Sequence, residues 1–70
     1  MNVMDVVSTC ASGTPIRVHS RCTKVTVAGE TGGRRGAELE RRLKIERMDT
    51  QRALSITSLW KAHELYIECF

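Results

Sequence analysis

The apolar positions change their period along the chain. Val3, Met4, Val6 and Val7, interrupted only by Asp5, make residues 1–9 a short strand or a disordered start. Ser12, Gly13 and Pro15 then punctuate a turn. From Ile16 the pattern alternates. Ile16, Val18, Val25 and Val27 share one face of a strand pair over 16–28, and Arg17, His19, Arg21 and Lys24 share the other. No Asn-Gly or Gly-x pair stands near Ser20-Arg21, so a loop longer than a two-residue hairpin turn is expected there.

Past position 36 neither glycine nor proline occurs, and the segment 36–69 reads as helical. A first helix over Gly36–Met48 carries Glu38–Arg42 and Glu40–Lys44 at the favourable i,i+4 spacing. Its apolar face drifts: Leu39 and Leu43 lie on one side, while Ile45 and Met48 fall among the arginines, which predicts a bend near Asp49. Asp49-Thr50 caps a second helix to about Cys69. There Ala53, Ile56, Trp60, His63, Ile67 and Phe70 recur every three or four residues, widened by Leu54, Leu59 and Tyr66. The fold class expected is therefore α+β, with a small two- or three-stranded antiparallel sheet followed by a long bent helix or two helices. The 70 residues make one small domain.

Between the strand pair and the helix lies a glycine-rich connection over 29–36. Four of the five glycines fall there, at Gly29, Gly32, Gly33 and Gly36. Gly29-Glu30-Thr31-Gly32, following Val25 and Val27, resembles the opening of the phosphate-binding loop of nucleoside triphosphatases. In that family a strand runs through Gly-x-x-x-x-Gly-Lys-Ser/Thr into a helix. The resemblance covers the twenty residues Lys24–Leu43. It departs at the three positions that carry the chemistry: Arg34 replaces the last glycine, Arg35 the lysine and Gly36 the magnesium-binding hydroxyl. What remains implies a strand-to-helix connection with two arginines near a helix N-terminus, and no nucleotide cofactor.

Charge changes the picture more than composition does. The net charge is +3, and between Arg34 and Arg52 seven basic residues face four acidic ones, which accounts for all of it. Such a segment favours a polyanionic partner. The leading expectation is a small basic nucleic-acid-binding regulator, RNA-associated and dimeric. Arg34, Arg35, Arg41, Arg42, Lys44 and Arg47 would contact phosphates, and Arg17, Arg21 and Lys24 would extend the patch. With so few aromatics to stack on bases, the contacts would be electrostatic and tolerant of sequence. The alternative is a protein-interaction module that dimerises through the C-terminal stripe, using Ile56, Leu59, Trp60, His63, Tyr66, Ile67 and Phe70.

Three cysteines make no disulfide framework by count. No basic region opens the chain and its first apolar run ends at Val7, so neither signal peptide nor membrane span is expected, and the setting expected is soluble and intracellular. Cys10, Cys22, His63 and Cys69 are zinc-type ligands, but no Cys-x-x-Cys pair brings them together, and no metal is expected. Cys69 and His63 are six apart and would not meet as nucleophile and base on one helix. A non-enzymatic protein is the expectation.

Overall fold

The computed structural model describes residues 1–59 and 64–70; of Leu59 it describes the backbone. The order is α1 (Val3–Thr9), β1 (Pro15–Ser20), β2 (Thr26–Glu30), α2 (Gly33–Ile45), β3 (Ala53–Leu59) and β4 (Glu64–Cys69). The strands form one four-stranded mixed sheet in the order β2-β1-β4-β3. β1 pairs antiparallel with β2 and parallel with β4, and β3 pairs antiparallel with β4. A parallel central pair needs a crossover, which β2, α2 and β3 supply together.

The expected strand pair stands, and so does the parity of the residues inside the strands; Arg21 and Lys24, expected on the same face as Arg17 and His19, lie in the turn between the two strands. Val18 faces Val27 and Ile67 in register, and all three are buried, as is Ile16. Arg17 and His19 lie on the opposite, solvent-facing side of the sheet.

The sheet followed by a long bent helix is not what forms. Among the described residues of the segment 36–69, only 36–45 are helical, the greater part of a helix that starts at Gly33, and 53–59 and 64–69 are strands. The reason is legible in hindsight. Glu64-Leu65-Tyr66-Ile67-Glu68-Cys69 alternates strictly, and the side of Leu65, Ile67 and Cys69 is turned to the core. Ser55-Ile56-Thr57-Ser58 is rich in β-branched and hydroxyl side chains, which pack poorly on a helix. The spacing of three and four was an accident of two alternating strands joined in series.

Residues 1–9 are likewise corrected, from strand or disorder to helix. Asn2 caps α1 through a reciprocal pair of bonds, its Oδ1 accepting from the Asp5 amide while Asp5 Oδ2 accepts from the Asn2 amide. Val3, Val6 and Val7 follow at i, i+3 and i+4, all buried. Valine's preference for strands masked this spacing. The start of α1 is held at one end of the sheet, where the Val3 amide donates to Gln51 O at 2.9 Å and the Ala53 amide to Met1 O at 3.1 Å. Further along, Met4, Val7 and Cys10 share a groove with Gly33, Gly36 and Ala37, so α1 lies on the same side of the sheet as α2.

Two chain reversals fix α2. At its start the expected connection over 29–36 shrinks to Thr31 and Gly32, because Gly29 belongs to β2 and Gly33 and Gly36 to the helix. Thr31 is buried and clasps the loop before β1: its hydroxyl donates to Ala11 O and accepts from the Thr14 amide. Its carbonyl accepts from the Gly13 amide at 2.7 Å. Gly32 has φ +89°, and a Cβ there would overlap Ser12 Oγ. At its end α2 closes in a Schellman arrangement, with the Met48 amide donating to Leu43 O at 2.8 Å and the Arg47 amide to Lys44 O at 3.1 Å. Leu43 and Met48, which this closure joins, are both buried.

Between these ends Leu39 and Leu43 face the sheet. A Cβ on Gly29 would stand 3.1 Å from Leu39 Cδ1, so helix and strand approach as closely as glycine permits. The core joins both helices and three strands: Val3, Val6, Val7, Ile16, Val18, Val27, Leu39, Leu43, Met48, Ile67 and Cys69.

Gly32→Ala adds both left-handed strain and a clash with Ser12. It should lower unfolding free energy by roughly 1–3 kcal/mol, a large share of the ~3–5 kcal/mol that a core this small supplies. A urea titration followed by circular dichroism measures it. Ala37→Gly, at an exposed helix position, should cost only about 1 kcal/mol.

Candidate nucleic-acid interface

The basic residues of α2 are all solvent-exposed, as are Arg34 and Arg35 in its first turn and Arg47 just beyond its end. They are not equivalent. Arg35 pairs with Glu30 at 3.0 Å, Arg42 with Glu38 at 3.3 Å and Lys44 with Glu40 at 3.3 Å. Arg42 and Lys44 also stand in the last turn, where a positive charge suits the helix macrodipole. Fold stability accounts for these three.

It does not account for the others. Among the described residues no carboxylate pairs with Arg34, Arg41 or Arg47. Arg34 lies at the positive end of the macrodipole, in a first turn without an acidic residue and behind a glycine cap that makes no side-chain bond. A cation there works against the helix by about 0.3–1 kcal/mol. Arg41 comes two turns later, and the two arginines line one shallow depression with Ala37, Glu38, Arg42 and Ile45. Arg47 has φ +57°, the left-handed position that closes the helix and that glycine occupies at least strain.

Lys24, the other non-glycine residue with positive φ (+59°) among the described residues, sits in the β1–β2 turn. β2 begins beside the end of α2, where Val25 and Thr26 share a groove with Ile45 and Glu46. The two strained basic positions therefore occupy the same end of the molecule.

The structure divides the nine-residue basic patch expected from sequence. Arg17 and Arg21 lie on the sheet face away from α2, and each is held by a β4 carboxylate: Arg17 Nε to Glu64 Oε1 at 3.0 Å, Arg21 Nε to Glu68 Oε2 at 2.6 Å. His19 Nδ1 is 2.9 Å from Thr26 Oγ1 on this face. The strand register dictates the arrangement, since Arg17 and His19 are paired with Tyr66 and Glu68 of β4. Sequence alone offered no sign that these arginines and the helical ones belong to opposite faces.

The helical interaction stripe does not exist as a surface. Ile67 is fully buried in the core and Tyr66 is half-buried on the open sheet face. Ile56 (48% exposed) and Phe70 (65%) are accessible, on β3 and at the chain's end. Trp60, His63 and the side chain of Leu59 lie outside the described residues.

Nor do the cysteines converge. Cys10 lines a groove with Ser12, Thr31 and Gly32 at one end of the sheet, while Cys69 ends β4 and the Cys22 amide donates to Phe70 O at the other. No group of three potential ligands gathers among the described residues. No helix among them is long and apolar enough to cross a membrane.

Burial pushes the thiols of Cys10 and Cys69 above the usual range, whereas Cys22 is exposed. Cys22 should thus react first with a thiol-specific disulfide reagent, and Cys69 only as fast as the chain opens, by stopped-flow absorbance. Both raised groups favour the neutral thiol in the fold. Their contribution is complete below the unfolded thiol value near ~8.5 and is lost as pH rises beyond it, so thermal stability should fall on the alkaline side.

Compared with protein-family models, curated proteins and solved structures, the chain matches none of them.

Proposed function

We propose that the protein binds nucleic acid through the solvent face of α2 and the turn beyond it, with Arg34, Arg41, Arg47 and Lys24 contacting backbone phosphates. One observation carries this reading: three of these four basic residues, Arg34, Arg47 and Lys24, occupy places that folding alone disfavours. A helix start without acid, and two left-handed positions without glycine, hold exposed cations lacking a described carboxylate partner. Residues kept at such a cost are a recognised mark of function. A phosphate beside Arg34 would also meet the unpaired amides of the first helical turn.

Arg35, Arg42 and Lys44, whose carboxylate pairs are mutually exposed, add to the potential without being the primary contacts. Tyr66 lies on the face of the sheet away from α2, where it does not stack on bases held at the basic helix. Recognition is of the backbone, and sequence preference is weak. The RNA association expected from the sequence enters as one arm of the test.

Fluorescence anisotropy against single-stranded RNA, duplex RNA and duplex DNA, at two salt concentrations, tests the reading. Four phosphate contacts predict a log–log salt slope of roughly −4 on duplex DNA. Arg34→Glu with Arg41→Glu should weaken binding more than tenfold, while Arg17→Gln, on the other face, should leave it unchanged. Absence of binding to all three ligands at low salt would overturn the assignment.

Arg47→Gly separates stability from binding. It should raise unfolding free energy by up to about 1 kcal/mol, by relieving the left-handed strain, and lower the salt slope by about 0.9. A variant that gains stability and keeps the full slope would remove Arg47 from the interface.

A further inference from the structure

β3 is an edge strand, and it differs from every other described element. Ala53-Leu54-Ser55-Ile56-Thr57-Ser58-Leu59 carries no charge, no glycine and no proline. α1 holds Asp5, β1 Arg17, β2 Glu30, β4 two glutamates and α2 seven charged residues. Edge strands are ordinarily guarded by charges, proline, bulges or a covering element. Among the described residues two such devices stand, both at the start of the strand: a register shift between Ala53 and Ser55, and the segment Met1–Val3, whose Met1 carbonyl accepts from the Ala53 amide and whose Asn2 bridges Arg52. From Ser55 onward the pairing is regular, and Ser55, Ile56, Thr57 and Ser58 are all exposed.

The opposite edge is different. α2 packs along β2, and its Arg35 reaches Glu30 at that strand's end. Arg42 and Glu38 line the groove beside Ala28 and Gly29. A strand approaching β2 would have to displace these charges; one approaching β3 beyond the bonded N-terminal segment, from Ser55 onward, would meet none carried by that strand.

We propose that β3 pairs antiparallel with β3 of a second copy of this chain, joining two sheets into one of eight strands. An uncharged strand offers nothing to select a charged foreign peptide, and it is compatible with itself. In a two-fold antiparallel pair one residue lies opposite its own copy, on the same face of both sheets. Ile56, at the centre of β3, is that residue. It shares a face with Ile67, its partner on β4. Set against its copy, Ile56 extends the buried apolar row of the helix-side face across the joint. The association closes at two copies, because the two-fold contact consumes both β3 edges and leaves only the charge-flanked β2 edges outside.

A single strand pair is a small contact, below the ~1,200 Å² of standard interfaces, so the dimer forms at micromolar concentrations and above. Sedimentation equilibrium of the full chain, in reducing buffer to exclude Cys22 disulfides, should show a concentration-dependent monomer–dimer equilibrium. Ile56→Lys should weaken it at least tenfold with an unchanged circular dichroism spectrum. Cross-linking supplies a readout that survives an ill-folded lysine variant. In a Cys22→Ser background, Ile56→Cys should oxidise to a disulfide-linked dimer, whereas Ile45→Cys, more exposed on α2, should not. A monomer at every concentration would leave the edge to a foreign strand or to none, and would overturn the proposal. So would open-ended growth, which means β3 pairing with β2, or a dimer insensitive to both substitutions.

Discussion

The fold depends on one parallel pairing. β1 and β4, about fifty residues apart in the chain, lie side by side at the centre of the sheet with Val18 against Ile67 and Ile16 against Leu65. Every other element attaches to one of these two strands or covers them. β2 flanks β1, β3 flanks β4, and the two helices close the face on which Ile16, Val18, Ile67 and Cys69 are buried. Because the pair is parallel, the chain must travel the length of the molecule between its strands. β2, α2 and β3 make that passage together, and the close seat of α2 on Gly29 holds the basic segment on the outside. The interface proposed for nucleic acid is thus the outer wall of the crossover.

Much of the N-terminal half was legible because its signals are local. The alternation of Ile16 and Val18, and of Val25 and Val27, fixed both strands and the face each buries. Leu39 and Leu43, one helical turn apart, marked the buried side of α2. The second half misled because two alternating strands in series imitate a helical stripe. With no glycine or proline between Arg52 and Phe70, punctuation gave no warning. Alternation within Glu64–Cys69 was the better signal, and the β-branched residues of β3 supported it. At the N-terminus the balance was reversed, since valines suited to a strand were placed on a helix by the reciprocal Asn2–Asp5 cap.

The candidate site was legible as composition and illegible as geometry. Counting charges located the excess between Arg34 and Arg52. It could not separate arginines neutralised by a neighbour from those left facing solvent, nor reveal that Arg17 and Arg21 are turned to the other side of the sheet. That distinction depends on β4, whose Glu64 and Glu68 reach across the central pair. The strain at Arg47 was equally invisible, because nothing in Glu46-Arg47-Met48 announces a left-handed residue. It arises when Leu43 and Met48 are buried together and the helix has to close between them.

The central strand β4 follows the other described elements in the chain. While the ribosome is still adding the residues before it, β1, β2 and α2 can assemble only half a sheet, with the open side of β1 presenting Ile16 and Val18. That nascent state has an exposed apolar edge, and its natural partner is still in the exit tunnel. Closure of the sheet therefore waits until β4 has left the tunnel. A polyanion already drawn to α2 would meet a segment whose helix is local enough to form early, before the sheet beneath it is complete.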